Sequence, residues 1–160
     1  MPHVELSLSD DPEPDSPERR RPPGGPWEEP PRSRSESLSR WTGAVTEATE
    51  PCAVLDSDGV IVASSRACAA LLGAPGGPDG WLGRGLLDVL ELVDLTAAGE
   101  PLAAWEAERI PPLLALSSGA LARAVMRIRV GSLTRTLDLV STPLRDGTAV
   151  VGSLTFLHRI

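Results

Sequence analysis

The chain contains no lysine, asparagine, glutamine or tyrosine, and a single phenylalanine. Alanine, glycine, proline and arginine are abundant instead. That bias is the mark of a GC-rich genome, such as an actinobacterial one, and it makes the absence of any one residue type weak evidence by itself. Other absences exclude more. No stretch of 18 apolar residues occurs, so no membrane-spanning helix is expected. The N-terminus, MPHVELSLSDDPEPD, carries acids where a secretory signal needs a basic start and an apolar stretch. The two cysteines, Cys52 and Cys68, have no CxxC spacing, which argues against a disulfide framework or a zinc site and for free, buried thiols. We therefore expect a cytoplasmic protein. The net charge of -7 disfavours nucleic acid, which requires clustered cations.

What is present divides the 160 residues in two. Nine of the 16 prolines fall in residues 1–36, among alternating acids and arginines with few large apolar side chains. Such a segment cannot bury enough surface to offset its ordering entropy, and we expect a disordered tail. Its RRPPGGP string, Arg20 to Pro26, fits an RxxPxxP polyproline pattern that so Pro- and Arg-rich a stretch meets cheaply. Residues 37–160 read as one folded region, a flanking helix over 37–50 and a core over 51–160.

In the flanking helix, Leu38, Trp41, Val45 and Ala48 form one stripe. Pro51 ends it. A tryptophan in that stripe must cover something, either the chain's own sheet or a partner. Cys52 to Asp56 and Val60 to Val62 read as strands around the turn Ser57-Asp58-Gly59. Ser64 or Ser65 caps a helix that Gly73 closes. Helical patterns are expected over Trp81–Val93 and Pro101–Ile110, with one more turn at Leu113–Ser117. From Ala122 the period becomes two. Met126, Ile128 and Val130 alternate with Arg127 and Arg129, and turns at Gly131-Ser132 and Asp146-Gly147 make a three-strand antiparallel meander. The order is that of an α+β fold, with helices on one face of one sheet.

The string Leu55-Asp56-x-Asp58-Gly59-x-Ile61-Val62, then Ser65-Arg66-Ala67 and Leu71-Leu72-Gly73, resembles the opening of a PAS domain. Leu82-Gly83-Arg84 with Leu87-Asp88-Val89-Leu90 resembles that family's middle segment. Thr142-Pro143-Leu144, Asp146-Gly147 and Val151-Gly152 resemble its closing hairpin. The likeness runs from about Val45 to Ile160. It implies a five-stranded antiparallel sheet with helices on one face and a role in sensing or protein interaction. Ser65 stands where the family usually has Asn. Leu157-His158-Arg159-Ile160 stands where many members have Asp-Ile-Thr leading to an effector, so any output is expected to pass through non-covalent contact.

The family's cofactors find no match here. Light-sensing members use an Asn-Cys-Arg string and Asn or Gln on the flavin. Haem-binding members use a helix histidine, whereas the histidines here are His3 in the tail and His158 near the end. A coumarate-type chromophore needs a tyrosine. We expect no cofactor, no metal and no catalysis: His158 is the sole histidine of the folded region, and the glycines form no Walker or dinucleotide pattern.

Two readings then stand. In the first, the domain docks a protein through Leu38, Trp41 and Val45 of the flanking helix and through Arg127, Arg129 and Arg135 of the strands. The resemblance suggests a second copy, another PAS protein, a histidine kinase or a phosphatase as partner. In the second, a small apolar ligand sits between helices and sheet. Leu137, Leu139, Leu154 and Phe156 then form the inner face, with His158 further along and Trp81 or Trp105 as a wall. A filled core accounts for the same residues.

Overall fold

The computed structural model describes residues 35–160. The expected tail lies outside them but for its last two residues. Helix α1 spans Glu36–Glu47, and Ser35 caps it by accepting from the Leu38 amide at 3.0 Å. Leu38 and Val45 are buried, while Trp41 keeps 39% of its surface exposed. Strands β1 (Cys52–Asp56) and β2 (Ile61–Ser64) form the expected hairpin. The Asp56 carboxylate accepts from the amides of Asp58 and Val60, both at 3.0 Å, which fixes the turn. Ser65 caps α2 (Arg66–Leu72), and Gly73 ends it at φ 70°, a conformation only glycine adopts freely.

The helix expected over Trp81–Val93 is three pieces. A 3-10 turn runs Gly77–Trp81, α3 is Leu86–Val89, and Glu91–Val93 is a strand, β3. Gly83, at φ 78°, interrupts the helical run. The expected Pro101–Ile110 helix shrinks to α4, Ala104–Ala107, because Pro101 lies extended against Val93. Helix α5 is longer than one turn, Pro111–Ser118, opened by two prolines that suit a first helical turn.

Strands β4 (Ala122–Val130), β5 (Leu133–Asp146) and β6 (Ala149–Arg159) form the meander. The sheet is antiparallel with order β2-β1-β6-β5-β4-β3, so it has six strands rather than five, the extra one being the short β3 at the edge. A bulge shifts the β5–β6 register between Leu144 and Arg145.

Each face of the sheet has its own core. On the inner face, Leu55, Met126, Ile128, Leu137, Leu139 and Leu157 pack with Cys68, Leu72, Trp81 and Ile110 from the helical segment. On the outer face, Leu38 and Val45 of α1 pack over Cys52, Val54, Ala63, Leu144 and Leu154. Gly152 lets α1 come close. A Cβ there would stand 2.4 Å from the Leu55 carbonyl oxygen and 2.8 Å from Leu38 Cδ1.

Candidate functional site

Strand alternation decides which side chains share a face. The residues expected to wall one ligand pocket are divided between two. Leu137 and Leu139 are buried on the inner face, whereas Leu154 lies under α1 on the outer one. Phe156 and His158 follow Leu154 in steps of two, so they too face outward. Phe156 is 46% exposed. Of the two tryptophans, Trp81 is buried in the inner core and Trp105 is 63% exposed on α4. Trp105 does not line the cavity between helices and sheet.

What remains between helices and sheet is narrow. The inner face and helices enclose a cavity of about 30 Å³, lined among others by Leu55, Cys68, Leu72, Met126, Ile128 and Leu139. That is an order of magnitude below the ~300 Å³ at which small-molecule sites begin. Its polar fringe is Thr155, whose hydroxyl bonds that of Ser141 at 2.8 Å. Burial pushes the Cys68 thiol up to about 11 and also raises that of Cys52. Both thiols are thereby kept protonated and unreactive. Among the described residues, no group of three or more His, Cys, Asp or Glu is placed to hold a metal ion.

The outer face is only half covered. Helix α1 lies over β1, β2 and the hairpin end of β5 and β6. Beyond it, cross-strand rows are open: Arg123–Val140–Phe156, and next to it Val125–Asp138–His158. Val125 is 43% exposed. A groove of about 190 Å³ runs along these rows, bordered by Glu50, Pro51, Asp138, Val140, Phe156 and His158. Arg123 grips both carboxylate oxygens of Asp138, at 3.0 and 2.5 Å. The Arg123 hydrogen bonds, aided by the charge of His158, hold the Asp138 carboxyl below the usual carboxylate range.

The arginines expected to choose a partner are engaged within the chain. Arg127 donates to the carbonyls of Thr96 at 2.6 Å and Asp94 at 3.3 Å. Arg129 donates to the Gly99 carbonyl at 2.9 Å and meets Glu91 at 3.0 Å. Both tie down the loop after β3. Arg135 lies on the inner face, not with the other two, because it alternates in step with Leu137. It donates to the carbonyls of Ala70 and Leu71 and so caps the C-terminus of α2. Arg123, Asp138 and Val140 are the outer-face residues that sequence reasoning passed over. The signal available was the parity of β4, which puts Arg123 in step with Val125.

Both edges of the sheet are partly shielded by neighbouring loops. Ile61 of β2 exchanges hydrogen bonds with Arg84 and Gly83, each at 2.9 Å. Beside β3, Asp94 donates to Glu100 at 2.8 Å and Leu102 to Leu92 at 3.0 Å. No helix among the described residues is long and apolar enough to cross a membrane.

No protein-family model and no curated protein matches the chain. Solved structures do. The chain is similar to a PAS domain from Colwellia psychrerythraea, at 15% identity over 77% of this chain and 96% of that one, with a TM-score of 0.54. It is similar to the PAS domain of Bordetella pertussis BvgS, at 15% identity over 77% and 84%, with a TM-score of 0.50. It is also similar to Vibrio cholerae VqmA, described as a dimer and a LuxR-type receptor. There the identity is 16% over 76% of this chain and 51% of that one, and the TM-score is 0.55. The fold is the PAS fold.

Proposed function

We propose that this PAS-fold chain is a non-catalytic regulatory module that docks a protein partner on the open half of its outer sheet face, in signal transduction or transcriptional control. One observation carries the reading. The inner core is filled to within about 30 Å³, while Phe156 and Val125 stand exposed on the outer sheet face. An aromatic anchor amid aliphatic neighbours, with charged groups toward the rim, is the usual makeup of an interface centre. The Arg123–Asp138 pair supplies a polar rim. A second copy, another PAS protein, a histidine kinase or a phosphatase each suits such a face.

The test is Phe156→Arg in the full chain. Self-association is read by sedimentation equilibrium, and partner capture from host extract by affinity purification. The expected result is an unchanged melting temperature with binding weakened about 30-fold or more, the loss typical of a central anchor. Unweakened binding by the folded variant overturns the reading.

The alternative, a sensor for a small apolar ligand, is favoured by one feature: the apolar cavity has flexible Met126 in its wall and could widen around a guest. Native mass spectrometry of protein from its own host separates the two. A mass excess that vanishes on denaturation supports the sensor. An apo dimer, or a co-purifying protein, supports docking.

A further inference from the structure

Ser65 is fully buried, and its hydroxyl makes three hydrogen bonds. It donates to the carbonyl of Glu50 at 2.7 Å. It accepts from the amide of Cys52 at 3.1 Å and from that of Cys68 at 3.1 Å. A hydroxyl has one proton to give and two lone pairs, so its capacity is filled. The three partners belong to three parts of the fold. Glu50 lies in the link out of α1, Cys52 opens β1, and Cys68 is in the first turn of α2. The Ser65 amide adds a fourth tie, to the Cys52 carbonyl at 2.9 Å.

Helix α2 also walls the core cavity, through Cys68 and Leu72. Its other end is held by Arg135. Between α2 and the end of α1 runs an open groove, lined by Glu47, Ala48, Arg66, Ala67 and Ala70. Beside that groove the Ser65 hydroxyl ties the first turn of α2 to Glu50, in the link that leaves α1. On the α1 side the link is stiff, because Pro51 fixes the backbone next to Glu50.

We propose that Ser65 couples the core to the docking face. A change in packing at the cavity shifts α2, and the shared hydroxyl passes that shift to Glu50 and so to α1, which borders the open sheet face. The regulatory purpose rests on the docking reading; the coupling itself does not. Ser65 acts here as a positioning residue. Its value lies in serving α2 and the link out of α1 with one oxygen, which a cap bonded to α2 alone does not do.

The test is hydrogen–deuterium exchange of the full 160-residue chain, read peptide by peptide. Leu72→Ala enlarges the cavity from the α2 side. It is expected to speed exchange of α1 amides about 5-fold or more, well above the change in the central strands, as a local opening does. In a Ser65→Ala background, where α1 already exchanges faster, Leu72→Ala is expected to add less than about 2-fold, the mark of non-additive, coupled sites. Ser65→Thr keeps a hydroxyl and should keep the response. If Leu72→Ala does not fold, Leu72→Val replaces it. If Ser65→Ala does not, Ser65→Gly preserves the cap conformation without the oxygen. An equal α1 response with and without the hydroxyl overturns the proposal, and so does an α1 that ignores the cavity change while Ser65 is intact. Either failure leaves the docking reading untouched, since that reading is decided by Phe156→Arg and its binding assay.

Discussion

Leu139 faces Leu157 across β5 and β6, and not Phe156. The hairpin register set by Asp146↔Ala149 and Arg145↔Val150, carried on unbroken, would oppose Leu139 to Phe156. The bulge between Leu144 and Arg145 moves every later pair by one residue. A one-residue shift exchanges the two faces of a strand. Leu157 therefore enters the core, and the chain's only phenylalanine stands on the surface.

Phe156→Ala is accordingly expected to cost less than about 1 kcal/mol, as surface substitutions do, whereas Leu139→Ala should cost about 2–5 kcal/mol. Urea unfolding of the two variants checks the contrast. Equal losses would return Phe156 to the core.

Gly152→Ala should loosen α1. The added methyl meets the Leu55 carbonyl and the Leu38 side chain, and the backbone oxygen cannot yield. We expect a destabilisation of about 1–3 kcal/mol, the usual cost of overpacking, with faster exchange of α1 amides. Wild-type protection of α1 in this variant would mean that Leu38 does not sit over Gly152.

The carboxyl of Asp138 should titrate below an ordinary aspartate, because the Arg123 guanidinium favours its charged form. The sign follows. The contribution of the pair is complete above the unfolded carboxylate pKa of about 4 and is lost as pH falls through the lower folded value. NMR titration of the Asp138 side chain checks this, and Arg123→Ala should return it toward the ordinary range.

Cys68 should resist iodoacetamide at pH 8 in the folded protein and react after denaturation. Burial raises its pKa from 9.0 to about 11, so the folded state holds the proton that the unfolded state releases between those values. The contribution is whole below pH 9 and declines as pH rises toward 11. The full loss is roughly 3 kcal/mol on linkage grounds. Cys68→Ala should flatten that decline in a series of unfolding curves.

The parts of this fold legible in the sequence are those written in local chemistry. Asp56, Asp58 and Gly59 declare a turn, Ser65 and Gly73 bracket a helix, and the alternation of Met126 and Ile128 with arginines declares a half-buried strand. Strand β6 was not legible in the same way. Gly152, Ser153, Leu154 and Thr155 are all buried, because α1 covers one face there and the helical segment the other. With small polar residues inward and Leu154 outward, hydrophobicity points to the wrong side. The bulge that sets the parity leaves no trace in residue type. Strand β3 was hidden for a related reason: three residues beside a helical run carry too little period to declare themselves. The loop bonds of Arg127 and Arg129 were not legible, because a charge on a strand shows its face but not the carbonyls of a loop some 30 residues away.

The covered edges of the sheet carry a last consequence. Strand addition is the route by which exposed β structure grows into fibrils, and it needs a row of free amides and carbonyls. Here residues 83–85 shield β2, and residues 100–102 shield β3. At those shielded stretches contact is left to side chains, Val125 and Phe156 of the outer sheet face among the exposed apolar ones.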